Sequence, residues 1–264
     1  MTSDLRISPA TKDDYGAFVR LFAELGVPEP APARATFDDL IFLASIVARR
    51  AGVIVGYAWW RPSGERLHVV YLITDPAHVR TGVGRALLRS IAETGKRAGF
   101  REWLLNVKPE NTPARRLYES FGMRASFEST SMELAWADVI KLPETSLRAT
   151  ELLATDEARF ELAMHLAPRE VTTARAILGR LAFCVQDDRG PAGLAVFDPS
   201  FPGAPIFRAR DAHAARALLE AMSVHVRHAK ARLMVEDARL VEILTKIGAS
   251  PVLQVLRMEG TIPP

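Results

Sequence analysis

The chain has 264 residues, which is long for one domain and sufficient for two. Its 34 Lys and Arg residues exceed its 31 Asp and Glu residues by only three, and this dispersed surplus argues against a nucleic acid or an anionic membrane as partner. With 48% apolar residues, no apolar signal core at the N-terminus and no apolar stretch near the ~20 residues of a membrane helix, the sequence predicts a globular cytoplasmic protein.

Residue types that mark reactive thiols and metal sites are sparse. Cys184 is the only cysteine, which excludes an intrachain disulfide, and its apolar neighbours predict a buried, unreactive thiol. His225 and His228 have i,i+3 spacing on a predicted helix, but no third ligand accompanies them. We therefore expect a solvated helix face there and no metal cofactor.

The first half of the chain predicts an alternation of strands and helices. Thr11 is placed to cap the first helix and Gly26 to end it. The predicted strands are Leu5–Pro9, Ser45–Arg49, Val53–Arg61, Leu67–Thr74, Glu102–Val107 and Ser126–Ala135. The predicted helices are Lys12–Leu25, Phe37–Ala44, one from a glycine turn to about Ala98, and a short one that starts near Pro113 and is ended by Gly122.

The second half repeats landmarks of the first. Arg85-Ala86-Leu87-Leu88 returns as Arg216-Ala217-Leu218-Leu219, and Phe121-Gly122 returns as Ile247-Gly248. Two landmarks in the same order indicate a duplicated domain. Predicted elements after a helix-rich stretch to Arg180 are the strands Leu181–Gln186, Gly193–Phe197, Pro205–Arg210, Arg232–Glu236 and Val252–Met258 and the helices His213–His228 and Ala238–Ile247.

A turn with two glycines, Val79-Arg80-Thr81-Gly82-Val83-Gly84, lies between a predicted strand and a predicted helix. Glycines let backbone N–H groups approach a ligand, and the helix N-terminus adds about half a positive charge. The arrangement therefore predicts an anion site. The alternative is a tight strand-to-helix turn without a ligand.

Two segments resemble a known family. Leu72–Leu88, which contains the glycine turn, resembles the acetyl-CoA signature of the GNAT N-acetyltransferase superfamily, and Leu105–Met123 resembles its Asn…Ala…Leu-Tyr…Phe-Gly block. Both blocks have the family's order and spacing, and the resemblance covers about Leu5–Trp136. It implies an α/β (α+β) fold: a mixed, mostly antiparallel sheet flanked by helices, followed by a second, degenerate GNAT-like α/β domain.

The resemblance implies acetyl-CoA as the cofactor and names the residues that would hold it. The pantetheine arm would lie along the fourth strand, and the pyrophosphate would lie on the N–H groups of the turn, with added charge from two arginines. The implied cofactor-binding residues are Leu72, Ile73, Thr74, Val79, Arg80, Thr81, Gly82, Val83, Gly84, Arg85, Asn111 and Tyr118.

The candidate catalytic residues are Tyr118, which the resemblance implies, and His68, which this sequence offers on the fourth strand. Tyr118 matches the family tyrosine that protonates the departing thiolate; the alternative is a core tyrosine on an apolar helix stripe. The fifth strand carries Asn106 where some members carry a glutamate base, and asparagine cannot take a proton. His68 on the fourth strand titrates in the useful range and is the candidate base, with Tyr71, Glu65 or a relaying water left open.

The second half lacks the chemistry-bearing residues of the first. Alignment of the repeat places His213 and Ala215 at the two glycines, with Asp211 close by, and it places Asp237 and Leu244 at Asn111 and Tyr118. We therefore predict an acetyl-CoA-binding GNAT domain at 1–137, a linker at 138–146 and a divergent, non-catalytic GNAT-like domain at 147–264. The second domain walls the acceptor cleft or forms a homodimer contact.

The predicted function is transfer of acetyl to a primary amine of a small molecule or a protein, by direct attack of the amine. The alternative is a non-catalytic acetyl-CoA-binding regulatory or interaction protein, since the second half has diverged and no carboxylate base is evident. Trp59 and Trp60 are adjacent in one strand and point to opposite faces, so one is expected in the core and the other at the acceptor pocket.

Overall fold

The computed structural model describes residues 5–177, 179–201, 203–226 and 228–263 and divides into two compact units. The described residues of Met1–Pro62, Arg66–Ser126 and Arg257–Pro264 form the first unit, and those of Ser63–Glu65 and Phe127–Leu256 form the second. These units differ from the predicted domains 1–137 and 147–264 chiefly in two segments: residues 127–137 are grouped with the second unit and residues 257–263 with the first. Within these described ranges, every helix is too short or too polar to cross a membrane.

The first unit is a mixed sheet with helices. Its strands follow one another in the order β1-β2-β3-β4-β5-β12, so the final strand of the chain lies next to β5. The strands are β1 (Leu5–Pro9), β2 (Ser45–Arg50), β3 (Val53–Ser63), β4 (Arg66–Thr74), β5 (Glu102–Val107) and β12 (Ser250–Thr261), of which the part from Arg257 is grouped here. The helices are α1 (Tyr15–Phe22), α2 (Arg34–Thr36), α3 (Val83–Arg97) and α4 (Thr112–Glu119).

The first predicted helix forms with irregular ends. Lys12–Asp14 and Ala23–Leu25 are 3-10 turns on either side of α1. Thr11 and Asp14 make the reciprocal hydrogen bonds of a capping box, and Gly26 ends the segment in the left-handed conformation at φ 58°. The helix predicted at Phe37–Ala44 starts earlier, at Arg34, and continues as a π turn and a 3-10 turn.

Strands β4 and β5 separate soon after they pair. They run parallel, and their register joins Leu67–Val69 to Trp103–Leu105. The rest of β4 and the end of β5 lie beyond this pairing. Helix α3 follows β4 and helix α4 follows β5, so both helices begin at the end of the sheet where the two strands part.

A glycine on β3 sets how closely α3 approaches the sheet. A Cβ added at Gly56 would lie 2.6 Å from Cγ1 of Val83, 3.0 Å from Cδ1 of Leu87 and 3.2 Å from the carbonyl oxygen of Ile73. The buried face of α3 includes Val83, Leu87 and three further apolar residues, Leu88, Ile91 and Ala92. The start of α3 is therefore held close to β3 and β4 by packing that leaves no room for a side chain at this glycine.

The second unit repeats this order of elements. Its strands lie in the order β6-β11-β10-β9-β8-β7, with the first part of β12 beside β6. The strands are β6 (Arg124–Ala135), β7 (Ala149–Glu151), β8 (Leu181–Asp187), β9 (Gly190–Asp198), β10 (Gly203–Ala209) and β11 (Lys230–Val235). The helices are α5 (Glu157–Ala163), α6 (Glu170–Arg175), α7 (Ala212–Ser223) and α8 (Ala238–Lys246).

The resemblance between the units extends to the parallel strand pair. Strands β10 and β11 pair through Gly203–Ala204 and Arg232–Leu233, as β4 and β5 do in the first unit. Helix α7 follows β10 and helix α8 follows β11. Both units therefore have the mixed, mostly antiparallel architecture that the sequence predicts.

The predicted linker is structured over its first part. Trp136–Lys141 forms 3-10 turns, and Val139 and Leu142 are buried in the core of the second unit. The carbonyl oxygen of Leu142 accepts a 2.6 Å hydrogen bond from Nη1 of Arg216 on α7. The first part of the predicted linker is therefore a packed connection.

The close approach at Gly56 can be tested by substitution. We expect Gly56→Ala to lower the free energy of unfolding by about 1–3 kcal/mol, because the added methyl overpacks the contact with Val83 and Leu87. Gly16→Ala is the control: no described atom lies within 4 Å of its added Cβ, and alanine in α1 is stabilising by about 0.5–1 kcal/mol. Urea denaturation of both variants measures the difference. Equal stability of the two variants would contradict this packing.

Candidate functional site

The glycine turn is held by local hydrogen bonds. Asp75 caps the 3-10 turn Pro76–His78 by accepting a 3.0 Å bond from the Ala77 N–H. The hydroxyl of Thr81 donates to the carbonyl oxygen of His78 at 2.7 Å. Arg80 at φ 62° and Gly82 at φ 86° are both left-handed, which turns the chain sharply into α3.

Helix α3 starts without a side-chain cap. Gly82 is its N-cap residue, and no side chain in the described part of the chain bonds to the free N–H groups there. The first N–H groups of a helix have no partner within the helix, and the helix dipole makes this end positive. A Cβ at Gly82 would have no described atom within 4 Å, so the turn opens to free space. These features suit a bound anion.

Gly84 has a different role from Gly82. A Cβ there would lie 3.2 Å from Cδ2 of Leu117 on α4 and 3.5 Å from Oγ1 of Thr74 on β4. The first distance is tight and the second is an ordinary contact, so Gly84 chiefly lets the start of α3 approach α4. The two glycines of the motif therefore serve the bend and the packing respectively.

Positive charge gathers beside the turn. Arg50 at the end of β2 donates from Nη1 to Oγ1 of Thr81 at 3.3 Å, and the same nitrogen lies 3.4 Å from Nδ1 of His78. Arg80 is exposed, and the guanidinium carbon of Arg85 lies 5.7 Å from the centre of the Phe121 ring. The sequence analysis missed Arg50, because it is distant in the chain and belongs to no motif.

The gap between β4 and β5 lies next to the turn. Leu72, Ile73 and Thr74 follow the last β4 residue paired with β5, so their backbone groups on this edge are not paired with β5. Ile73 is buried in the core beside α1, whereas Leu72 and Thr74 are half-buried. The gap can accept an extended segment of another molecule beside the strand.

Helix α4 contributes Asn111 and Tyr118. Asn111 is the N-cap residue of α4 and accepts a 3.2 Å bond from the Ala114 N–H. Tyr118 is buried with 7% of its surface exposed, and this burial raises its pKa to about 12. The phenol therefore keeps its proton through the neutral range and can donate it.

His68 is half-buried on the opposite face of the sheet from α3. Its register partner is Leu104, so the two side chains point to the same face, and Asn106 follows two residues later on that face. Burial first, and then the charges of Arg61, Arg257 and Arg66, lower the pKa of His68 well below 6.5. The imidazole is therefore neutral at pH 7, and the expectation that it titrates in the useful range is wrong, because its lowered pKa makes it a weaker base.

Two polar contacts on this face join β12 to strands that are distant in the sequence. Nε of Arg257 donates to Oδ1 of Asn106 at 3.4 Å, and Nη1 of Arg66 lies 2.8 Å from Oε2 of Glu259. The sequence analysis missed Arg257 and Glu259. No local pattern could have indicated them, because only the placement of β12 beside β5 brings them to β4 and β5.

The aromatic residues near the gap belong mostly to the core. Trp59 is 6% exposed and lies 5.2 Å from Tyr71, centre to centre, whereas Trp60 on the other face contacts Phe100 at 6.2 Å. The predicted opposite orientation of the two tryptophans is confirmed. Burial raises the pKa of Tyr71 to about 12, so Tyr71 does not suit a base.

In the second unit, aspartate side chains cap the N-termini of α7 and α8. Asp211 caps α7 by accepting 3.0 Å bonds from the N–H groups of His213 and Ala214, and Asp237 caps α8. Asp211 lies two residues before His213, the position that the motif alignment matches to Gly82, and the packing agrees with that alignment: Ala214 and Leu218 approach Gly193 as Val83 and Leu87 approach Gly56. Leu244 is fully buried and replaces the phenol of Tyr118 with a hydrocarbon.

An opening remains between β10 and β11 in the second unit. It has a volume of about 550 Å³ and is lined by Phe207, Arg208, Arg210, Glu236 and Leu240, among others. Arg208 and Glu236 form an ion pair in this lining. The opening therefore differs from the gap in the first unit, since its helix N-terminus and its charged groups already have partners within the chain.

Other candidate centres are absent from the part of the chain that the structure describes. No three His, Cys, Asp or Glu side chains in those ranges are grouped to hold a metal ion. Cys184 is buried, and burial raises the pKa of its thiol, as expected for an unreactive cysteine.

Comparison with known proteins supports the resemblance. Residues 15–123 match the model of the acetyltransferase (GNAT) family. A mycothiol acetyltransferase of Clavibacter sepedonicus is 29% identical over 146 residues, which cover 52% of this chain and 47% of that protein. The chain thus spans about half the length of this curated relative.

Two solved structures share the fold along nearly the whole chain. A Pyrococcus horikoshii protein provisionally described as an acetyltransferase has a TM-score of 0.71 and 18% identity, covering 97% of this chain and 89% of that one. A tandem GNAT protein from the clavulanic acid biosynthesis pathway has a TM-score of 0.61 and 16% identity, covering 99% of both chains. At these identities the likeness establishes the fold alone, and that fold contains two GNAT-like domains.

The lowered pKa of His68 has a consequence for stability. Below pH 6.5 the unfolded chain protonates this histidine while the folded protein does not, so folding stability falls as the pH falls from 6.5 towards the folded-state pKa. The loss is at most about 1.4 kcal/mol for each pH unit. We expect urea denaturation between pH 7.5 and 5 to show a smaller acid loss in His68→Gln than in the native chain. Parallel curves would contradict the buried, neutral histidine.

Proposed function

We propose that the protein is an acetyl-CoA-dependent N-acetyltransferase acting on a primary amine, because residues 15–123 match the model of the acetyltransferase (GNAT) family. The observation that carries the proposal is the uncapped N-terminus of α3, which follows a two-glycine turn and lies beside the gap between β4 and β5. The acceptor amine belongs to a small molecule or a protein.

The chain offers a fit for each part of the cofactor. The diphosphate would bind the N–H groups from Val79 to Arg85, where α3 is positive and Gly82 leaves open space. Arg80, Arg85 and Arg50 lie on or beside the turn and add charge that a polyanion needs. The pantetheine arm would pair with the unpaired edge of β4 at Leu72, Ile73 and Thr74, as an added strand does. When bound, acetyl-CoA supplies the activated acetyl group.

Tyr118 is the proposed general acid. Its pKa of about 12 keeps the phenol protonated at neutral pH, and α4 begins where β5 leaves β4. A protonated phenol at this position can donate to the sulfur that leaves the acetyl group. Asn111 fixes the start of α4 by capping it, and this capping positions the helix that carries Tyr118.

His68 is the proposed proton acceptor for the attacking amine. At neutral pH its imidazole is uncharged and has a lone pair, although its lowered pKa makes it a weak proton acceptor. The same positive surroundings that keep His68 neutral also disfavour the protonated form of an amine bound nearby. An amine must be neutral to attack, so these surroundings favour the reactive form of the acceptor.

The second unit is proposed to be non-catalytic. Asp211 occupies the helix N-terminus where a phosphate would bind, and Leu244 stands where the first unit has Tyr118. A carboxylate at that place repels a diphosphate. The rival function, an acetyl-CoA-binding regulatory protein without turnover, is favoured by this divergence and by Asn106 in place of a carboxylate base.

Gly82→Asp tests the proposed diphosphate site. We expect it to abolish acetyl-CoA binding in calorimetry, because the carboxylate would cap α3 and repel the diphosphate, as Asp211 does at α7. Gly99→Asp is a matched control: φ is 88° there and 86° at Gly82, and neither added Cβ meets a described atom within 4 Å. Equal affinity of both variants for acetyl-CoA would contradict diphosphate binding at the start of α3.

Tyr118→Phe tests the proposed general acid. We expect kcat to fall by about 10²–10⁴-fold while acetyl-CoA affinity is retained, since the ring stays and only the proton donor is lost. Tyr15→Phe is the control and should keep normal turnover. Tyr15 lies on α1, and the variant loses a hydroxyl that donates to the carbonyl oxygen of Pro32. The measurement is thiol release with a panel of amines. Binding of acetyl-CoA without thiol release for any amine would favour the regulatory rival instead.

A further inference from the structure

The opening between β10 and β11 is bordered by a strand edge that has no partner strand there. Strand β10 pairs with β11 only through Gly203 and Ala204, so its residues from Phe207 to Arg210 lie beyond that pairing. The same four residues line the opening, which has a volume of about 550 Å³. Small ligands bind in cavities of about 300–1,000 Å³. The opening is therefore large enough to hold a ligand against this edge of β10.

The backbone groups of Ala209 point into the opening. On its other edge β10 pairs with β9, where the N–H of Arg210 donates to the carbonyl oxygen of Ala192 at 2.9 Å. Neighbouring residues of a paired strand point their N–H and C=O groups to opposite edges, so those of Ala209 and Phe207 point away from β9. Phe207 is fully buried, whereas Ala209 retains 8% exposure. The N–H and C=O of Ala209 are therefore the edge groups that a ligand can reach.

The opening offers apolar contacts on both faces of the sheet. Leu240 on α8 and Phe207 belong to one buried cluster, on one face of β10. Met164, which follows α5, packs against the cluster on the other face, to which Ile206 belongs. Successive side chains of an extended chain point to opposite faces. An extended segment beside β10 would therefore direct one side chain towards Leu240 and the next towards Met164.

The arginines and carboxylates that line the opening have partners within the chain. Arg208 pairs with Glu236, and Arg210 pairs with Asp187. Asp237 caps α8 by accepting a hydrogen bond from a backbone N–H of the first turn. A capping carboxylate repels an anion, and the ion pairs balance their own charges. An uncharged ligand therefore fits the opening better than a phosphate or a carboxylate.

We propose that the opening binds a short, uncharged, apolar peptide in the extended conformation. One peptide residue exchanges two hydrogen bonds with the N–H and C=O of Ala209, as a residue of an added antiparallel strand does. The adjoining side chains contact Leu240 and Met164. This site gives the second unit a ligand of its own, and its existence does not depend on acetyl transfer by the first unit.

Binding of a blocked tetrapeptide tests the ligand class. The probe is acetyl-Ala-Leu-Leu-Ala-amide, which has no charge and no amine that could accept an acetyl group. Calorimetry with the full chain should show binding. N-methylation of one leucine should weaken it about three- to tenfold, the worth of one hydrogen bond, and N-methylation of the other should weaken it less, because neighbouring N–H groups point to opposite edges. Equal affinity of the two methylated peptides, or no binding of the parent peptide, would overturn the proposal.

A charged analogue tests the preference for an uncharged peptide. Acetyl-Ala-Glu-Glu-Ala-amide keeps the backbone and changes only the two central side chains. We expect it to bind at least about tenfold more weakly, because its carboxylates would lose water against Leu240 and Met164. Equal or tighter binding of this analogue would contradict the apolar class of the ligand.

Ala163→Trp tests where the peptide binds. Ala163 is exposed at the end of α5 and lines the opening, so an indole at this position would occupy part of it. We expect the affinity for the uncharged peptide to fall by about tenfold or more. Ala158→Trp is the control, since Ala158 is exposed on the same helix but does not line the opening, and it should bind as the native chain does. Equal affinity of the two variants would mean that the peptide binds elsewhere, which would overturn the assignment.

Discussion

The first unit depends on the parting of two parallel strands. Strands β4 and β5 share three residue pairs and then separate, which leaves backbone groups of β4 without partners on β5. Backbone polar groups away from a partner are costly unless water or a ligand satisfies them. Helices α3 and α4 begin at this parting, so the positive N-terminus of α3 lies beside the unpaired edge of β4.

The second unit shows what the same architecture becomes when its ends are satisfied internally. Strands β10 and β11 also part, but Asp211 and Asp237 cap the following helices, and Arg208 pairs with Glu236 in the opening. Each of these side chains supplies the charge that a ligand would otherwise supply. The two units therefore share a backbone arrangement. They differ in whether side chains of the chain itself or a ligand would satisfy the free backbone groups.

Much of the fold follows from local signals in the sequence. Thr11 with Gly26 and Gly82 with Asn111 are caps or stops whose effect is local, so the helices they bound could be predicted closely. The cofactor and catalytic roles of the turn and of Tyr118 come from the family resemblance and stay predictions. Arg50, Arg257 and Glu259 could not be predicted, because strand pairing between distant segments leaves no local pattern.

The position of β12 has a consequence for how the protein is made. Protein synthesis delivers the N-terminal segments first, so β1 to β5 leave the ribosome well before residues 257–261 exist. Until β12 arrives, β5 is an edge strand with the apolar sequence Trp103-Leu104-Leu105, and such an edge can pair with the wrong chain. The nascent protein must keep this edge covered or solvated for the whole time that the second unit is being synthesised. The unit that begins first is thus the one that is completed last.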